Sequence, residues 1–211
     1  MWYAEALKEK GVAAYFRWKL FGGRPYTDYA IFPRRYWDNK ALDFTKKIFD
    51  YCFIGGLATD PKTLQSRQWL TQFIADHFTS KSYLQFTDKE TRRRHREMGP
   101  FDYTIRRKGF VPKEVPVKQR NHFDANYFST MAKSKFALCP AGDAPWSMRF
   151  YEALMCKAIP VVERAEHTFR TRQEARLGYR YFLPGEQHEY HEDWAEHNYQ
   201  LFLKYHTLVN R

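Results

Sequence analysis

The sequence predicts an α/β fold, a Rossmann-like parallel sheet with flanking helices, and three observations carry that expectation. The stretch from Lys133 to Val162 reads strand, loop, helix, strand in close succession. Asp50 to Leu57 is an apolar run that ends in paired glycines, and a helical pattern follows it. Hydrophobic residues make up 44% of the 211 and aromatics 18%, enough for a substantial core and far from the composition of a disordered chain.

Taken in order, residues 2 to 20 read as one amphipathic helix. Trp2, Ala6, Val12, Ala13, Phe16 and Leu20 form its inward face, and Lys8, Glu9 and Lys10 stay in water. Gly22-Gly23 ends it. Tyr29 to Phe32 is a short strand closed by Pro33, and Arg34 to Asn39 is a connector. Asp50 to Leu57 is the first strand of the main sheet. Thr63 to Phe78 follows as a helix with Trp69, Leu70, Phe73 and Ile74 at helical spacing. Ser82 to Phe86 alternates like a second strand.

Thr87 to Glu97 contains Arg92-Arg93-Arg94-His95-Arg96 without the interleaved aromatics that stack nucleic-acid bases, so it reads as a solvated stretch rather than a nucleic-acid patch. Phe101 to Gly109 holds another short strand. Asn126 to Lys133 is a short helix that leads into the strand Phe136 to Cys139, which Pro140 stops. Gly142, Asp143 and Pro145 make the next loop. Ser147 caps a helix from Met148 to Lys157, and Ile159 to Val162 opens the next strand. Phe169 to Leu177 reads as a helix, Tyr179 to Leu183 as an extended piece, and His188 to Asn210 as a last amphipathic helix. His188, His191 and Glu192 lack the donor pattern of a catalytic zinc site, so no metal is expected.

Arg149 and Glu152 stand three apart on one helix face. A capping box from Ser147 would place its acid at Phe150, so capping does not account for Glu152. The start of a helix that follows a buried strand and a glycine-containing loop is a natural anion site. It also lies where open α/β sheets bind ligands. Arg149 is therefore read as a phosphate partner and Glu152 as an acceptor for sugar hydroxyls. A plain Arg–Glu surface pair is the competing reading. The formal net charge of +11 suits an anionic partner without choosing among nucleic acid, membrane surface and phosphorylated small molecule. No stretch approaches the roughly 20 apolar residues that cross a bilayer. The N-terminus lacks a signal-peptide core. Cys52, Cys139 and Cys156 sit in apolar runs without metal spacing, as reduced thiols would in a cytoplasmic protein.

The pattern S-x-R-x-x-E-A-L-x(4)-I-P-V-V, preceded by F-x-L-C-P-x-G, resembles the nucleotide-sugar segment of exostosin-like glycosyltransferases of family 47. The resemblance is good over Lys133 to Val162 and weaker back to Phe53-Ile54-Gly55-Gly56. It implies the GT-B architecture, two Rossmann-like domains facing across a cleft, here with a short or incomplete N-terminal domain. The corresponding division is 1–45 as a reduced acceptor-side part, 46–187 as the nucleotide-sugar-binding domain, and 188–211 as a C-terminal helix bracing the first part.

The resemblance further implies an inverting, metal-independent enzyme without a cofactor. It would transfer a sugar from a nucleotide donor, UDP-linked, to a saccharide acceptor. Ser147, Arg149 and Glu152 would contact the nucleoside diphosphate, with Gly55, Gly56, Arg67, Pro140 and Gly142 on the donor side and Arg106, Arg107 or Lys108 toward the base. A general base belongs to the acceptor side. Asp28 and Asp38 are the candidates, with Asp28 preferred and His95 and Asp102 kept open. Lys157 departs from the family's usual glycine, so a differently closed turn is expected there. The alternative is a non-catalytic nucleotide-sugar-binding module that works with a partner chain.

Overall fold

The computed structural model describes residues 2–21, 29–38, 42–56, 61–86, 125–142 and 145–208. Asp28, His95, Asp102, Arg107, the basic run around Arg92 and the strand expected within 101–109 lie outside them.

Four parallel strands form the centre: β1 (Phe49–Gly55), β2 (Tyr83–Phe86), β3 (Ser134–Leu138) and β4 (Ile159–Val161), side by side in the order β2-β1-β3-β4. Cys52 faces Tyr83 on one side and Ala137 on the other, and Phe136 pairs with Ile159. Side chains alternate between the two faces, as the pleat requires. Tyr51, Phe53, Phe136 and Leu138 enter one apolar cluster, and Cys52, Ala137 and Cys139 enter the other. Both faces are covered, which is why the strands read as continuous apolar runs.

The helix α1 (Trp2–Lys10) is followed at once by α2 (Val12–Phe21), and a single turn, α3 (Arg34–Trp37), comes later. On the face that carries Phe53, α4 (Pro61–His77) buries Leu70, Phe73 and Ile74. On the opposite face lie α5 (Ala125–Ala132) and α6 (Met148–Met155), with Phe128, Met131, Phe150 and Leu154 in the core. After a 3-10 turn (Ala165–His167) come α7 (Arg172–Ala175) and α8 (Glu192–Tyr205). Among the described residues no helix is long and apolar enough to cross a membrane.

Several expectations need correction. Residues 2 to 20 are two helices, because Gly11 takes φ +143°, a conformation that breaks the helical path. The break turns Val12, Phe16 and Leu20 outward, at 68%, 50% and 72% exposure, while Ala6 and Leu7 stay buried. Residues 30–32 are buried, but among the described residues they pair with no strand; Phe32 N–H instead donates to the carbonyl of His206 at 2.8 Å. Phe169 to Leu177 contains only the single turn α7, and the last helix begins at Glu192. His188 precedes it, half-buried, with Nδ1 3.1 Å from the Tyr51 hydroxyl and Nε2 2.8 Å from the Leu183 carbonyl. Burial pushes its pKa below the usual histidine value.

Lys157 has φ +51°. Its N–H donates to Leu154 O (3.1 Å), and the N–H of Ala158 donates to Ala153 O (3.0 Å), which is the Schellman closure. The turn is thus closed as glycine would close it, with lysine accepting the left-handed strain. The side chain has partners of its own: Nζ lies 2.7 Å from Glu196 Oε2 and over the rings of Tyr199 and Phe44.

Two polar groups, one half-buried and one buried, fasten the remote segments. Lys47 Nζ donates to Ala132 O (2.7 Å) and Cys156 O (3.3 Å), neutralising the carbonyl ends of α5 and α6. Burial lowers its pKa to about 8. Glu174 is fully buried and accepts from Ala30 N–H (3.0 Å), Tyr151 O–H (2.6 Å) and Arg170 N–H (3.0 Å). His206 Nδ1 donates to the carbonyl of the same Ala30 at 2.7 Å. Phe202 of α8 packs on Phe32 with ring centroids 5.3 Å apart.

Candidate functional site at the sheet switch point

From β1 the chain crosses to β2 on one side, while β3 and β4 lie on the other. The carboxyl ends of β1 and β3 therefore border a switch point, the place where open α/β sheets carry their ligand crevice. Gly55 and Gly56 close β1, and Cys139 and Pro140 follow β3 into the loop that leads to α6.

Ser147 caps α6 as expected, its hydroxyl accepting from Arg149 N–H at 3.2 Å in an extended backbone (φ −129°, ψ 136°). The cap aims the first turn of the helix at the crevice. Arg149 Nη2 donates to the Ile54 carbonyl at 2.8 Å, and the guanidinium carbon lies 5.1 Å from the centre of the Phe53 ring. A Cβ on Gly55 would stand 2.7 Å from Nη2, so a larger residue there would make the guanidinium shift. Burial opposes the Arg149 charge, and Tyr127, Cys139 and Glu152 nearby more than offset it, so its pKa rises above the usual arginine value. The Nη1 amino group has no acceptor among the described residues.

Tyr127 of α5 was not anticipated from the sequence. Its hydroxyl donates to Glu152 Oε2 at 2.6 Å and accepts from Arg149 Nε at 3.4 Å. Burial, reinforced by the Glu152 charge, holds its pKa well above the usual tyrosine value, so the phenol keeps its proton. No spacing links Tyr127 to Arg149 along the chain. The available signal was the short helix placed just before β3, on the face that α6 also covers.

Arg67 of α4 reaches from the other side. Its Nε donates to Ala141 O at 3.1 Å and its Nη1 to Gly56 O, so one guanidinium ties the loop after β1 to the loop after β3. Pro140 is buried in the second loop. Gly142 lies further along it, where an added Cβ would make only an ordinary 3.8 Å contact with Trp146 O. The structure thus joins Gly55 to Arg149, Arg67 to Gly56, and Glu152 to Arg149 through Tyr127, with Pro140 and Gly142 in the loop that leads to Ser147, and leaves Asp38 as an exposed partner of Arg34. Among the described residues no group of three or more His, Cys, Asp or Glu side chains is arranged to hold a metal ion. Chemically the crevice offers a fixed cation at a helix N-terminus beside glycine backbone, with a carboxylate three residues on.

Comparison with known proteins gives short stretches of high identity and one match over most of the chain. The chain is 54% identical over 37 residues to a probable glucuronosyltransferase of Oryza sativa subsp. japonica, which takes in 18% of this chain and 9% of that protein. It is 48% identical over 44 residues to a probable glucuronoxylan glucuronosyltransferase of Arabidopsis thaliana, 21% of this chain and 10% of that one. These matches cover about a tenth of the relatives' own length. Among solved structures, a GtfA/B complex aligns with 76% of this chain and 33% of its own at 14% identity and a TM-score of 0.42. The model of the exostosin GT47 domain matches residues 23–196, most of the sequence including both loops of the crevice, and the chain belongs to that family.

Proposed function

We propose that this chain is the donor-side part of a GT-B glycosyltransferase that binds a UDP-sugar at the switch point and passes the sugar to a saccharide acceptor with inversion, without a metal ion or other cofactor. The observation that carries the reading is the Arg149 guanidinium, held by the Ile54 carbonyl at the N-terminus of α6 and close against Gly55. As the glycosidic bond breaks, the leaving diphosphate gains negative charge, and a cation already fixed in place stabilises it without reorganisation. Glu152 accepts from ribose hydroxyls, and the backbone of Gly55 and Gly56 leaves room for the pyrophosphate. Since relatives are named glucuronosyltransferases, a uronic acid is the first sugar to try. Asp28 is the residue we propose as base for the acceptor hydroxyl.

Titration calorimetry with UDP, UDP-glucuronate, GDP and ADP tests the site. We expect uridine nucleotides to bind, Arg149→Ala to abolish both binding and transfer with the fold intact, and Glu152→Gln to weaken binding. Undiminished affinity in Arg149→Ala overturns the phosphate role.

A further inference from the structure

A helix that is apolar nearly all round is ordinarily buried. The α2 sequence VAAYFRWKLF has Arg17 and Lys19 as its only charged residues, yet its chief packing partner among the described elements is α1, and much of its surface meets water. Among the described residues, three of the four large apolar side chains that stand exposed lie on this helix: Val12, Phe16 and Leu20. Scattered singly, such residues are normal, but these three are four apart and form one stripe. The charges are placed with respect to that stripe. At about 100° per residue, the exposed side chains follow one another around α2 in the order Lys19, Val12, Phe16, Leu20, Ala13, Arg17. An apolar band is thus flanked by a cation on each edge. Tyr15 takes the other side, its ring centre 4.8 Å from Nζ of Lys8 in α1. α2 contains no acid, and the two acids of α1 are engaged elsewhere: Glu5 pairs with Arg35, and Glu9 accepts from Arg34 N–H at 2.7 Å.

We propose that α2 lies flat on an anionic lipid surface, with Val12, Phe16 and Leu20 at the headgroup boundary and Arg17 and Lys19 among the phosphates. A narrow apolar stripe with a cation on each side suits that boundary, because the stems of Arg and Lys run along apolar surface and lift their charges to the headgroups. The formal net charge of +11 acts in the same direction, drawing the chain to an anionic bilayer. A second copy laying the same stripe against this one would instead bring cationic edges together, with no acid on α2 to answer them. The bonds of Glu5 and Glu9 to Arg35 and Arg34 tie α1 to α3, so a docked α2 holds the α/β part at the membrane.

Co-sedimentation of the full chain with two sets of vesicles tests this, one of phosphatidylcholine alone and one with about 30% phosphatidylserine. We expect the anionic set to bind about tenfold more tightly or better. Phe16→Gln/Leu20→Gln should lose about tenfold on the anionic set, and Arg17→Gln/Lys19→Gln about tenfold there with no change on phosphatidylcholine. All four side chains are exposed, so both variants are expected to melt with the wild type. Hydrogen exchange of the wild type decides without any variant: on anionic vesicles, peptides covering 12–21 gain protection and those covering β1 and β3 do not. Wild-type protein that stays in the supernatant, a Phe16→Gln/Leu20→Gln variant that sediments undiminished, or protection that falls elsewhere overturns the proposal. So does light scattering that shows wild-type dimers and Phe16→Gln/Leu20→Gln monomers without lipid binding, since the stripe then belongs to a second copy.

Discussion

Gly55 and Arg149 are in contact across the crevice: a Cβ on the glycine would sit 2.7 Å from Nη2 and 3.2 Å from the Phe53 ring. Gly55 carries no positive φ, so alanine is acceptable to its backbone and objectionable only to its neighbours. Gly55→Ala should lower UDP affinity tenfold or more by displacing the guanidinium, at a stability cost of about 1–3 kcal/mol. Calorimetry paired with urea unfolding separates the two effects; unchanged affinity would show that the guanidinium has room to move.

At Lys157 two effects of similar size oppose each other. The left-handed backbone costs a non-glycine residue about 1 kcal/mol. The pair with Glu196, whose side chain is 46% exposed, and the contacts with Tyr199 and Phe44 return about the same. Lys157→Gly is therefore expected to lie within about 0.5 kcal/mol of the wild type. Lys157→Ala keeps the strain and loses the contacts, and should be about 1 kcal/mol less stable. Chemical denaturation gives both values, and alanine matching glycine would refute the balance.

Stability should fall above pH 9. Burial pushes Cys52 up to about 11 and raises Cys139 and Cys156 as well, from an ordinary value of 9.0. Between those limits the unfolded chain loses thiol protons that the folded chain keeps, so stability present below pH 9 is lost as pH rises. Lys47 acts in the other direction: its folded value of about 8 lies below the ordinary 10.5, which favours folding as pH climbs through that range. The buried tyrosines, raised above their ordinary 10.0 by the same burial, act with the thiols as pH nears 10, so the net direction is a loss of stability. Urea midpoints at pH 8, 9 and 10 measure it, and a flat profile would contradict the burial of the thiols.

Glu174→Gln replaces an all-acceptor carboxylate where Ala30 N–H and Arg170 N–H both donate. An amide keeps one acceptor oxygen for Ala30 N–H and leaves Arg170 N–H its 3.2 Å bond to the Tyr151 hydroxyl, so what is lost is the charge-assisted bonding of the carboxylate, at a cost of about 2 kcal/mol. UDP affinity should be unaffected, since the group lies outside the crevice; a parallel loss of binding would show that Glu174 reaches the site.

The parts that sequence reasoning reached are those whose signals are local. A proline after Cys139, a serine before Met148 and alternating apolar residues act within a few positions, and β3, the α6 cap and β4 follow from them. The Arg149–Glu152 face was readable for the same reason. What escaped depends on partners far along the chain. Tyr127 matters only because α5 and α6 cover the same sheet face, and Lys47 only because two helices end beside it. The N-terminal helix was misread because apolar spacing continues through Gly11 although the backbone does not. The turn at Lys157 shows the reverse: the residue departs from the glycine expected there and the geometry holds.

The peptide of Ala30 is gripped from both sides, its N–H by Glu174, 144 residues away, and its carbonyl by His206, 176 residues away. Contacts of such separation close very long loops, and their entropy cost falls on whichever event brings the ends together. The sheet and α6 need far shorter closures. Both bonds to this peptide can form only once Glu174 and His206 are in place. In pulse-labelled hydrogen exchange during refolding, the amides of Ala30 and Phe32 should gain protection in the slowest phase, after those of β1 and β3.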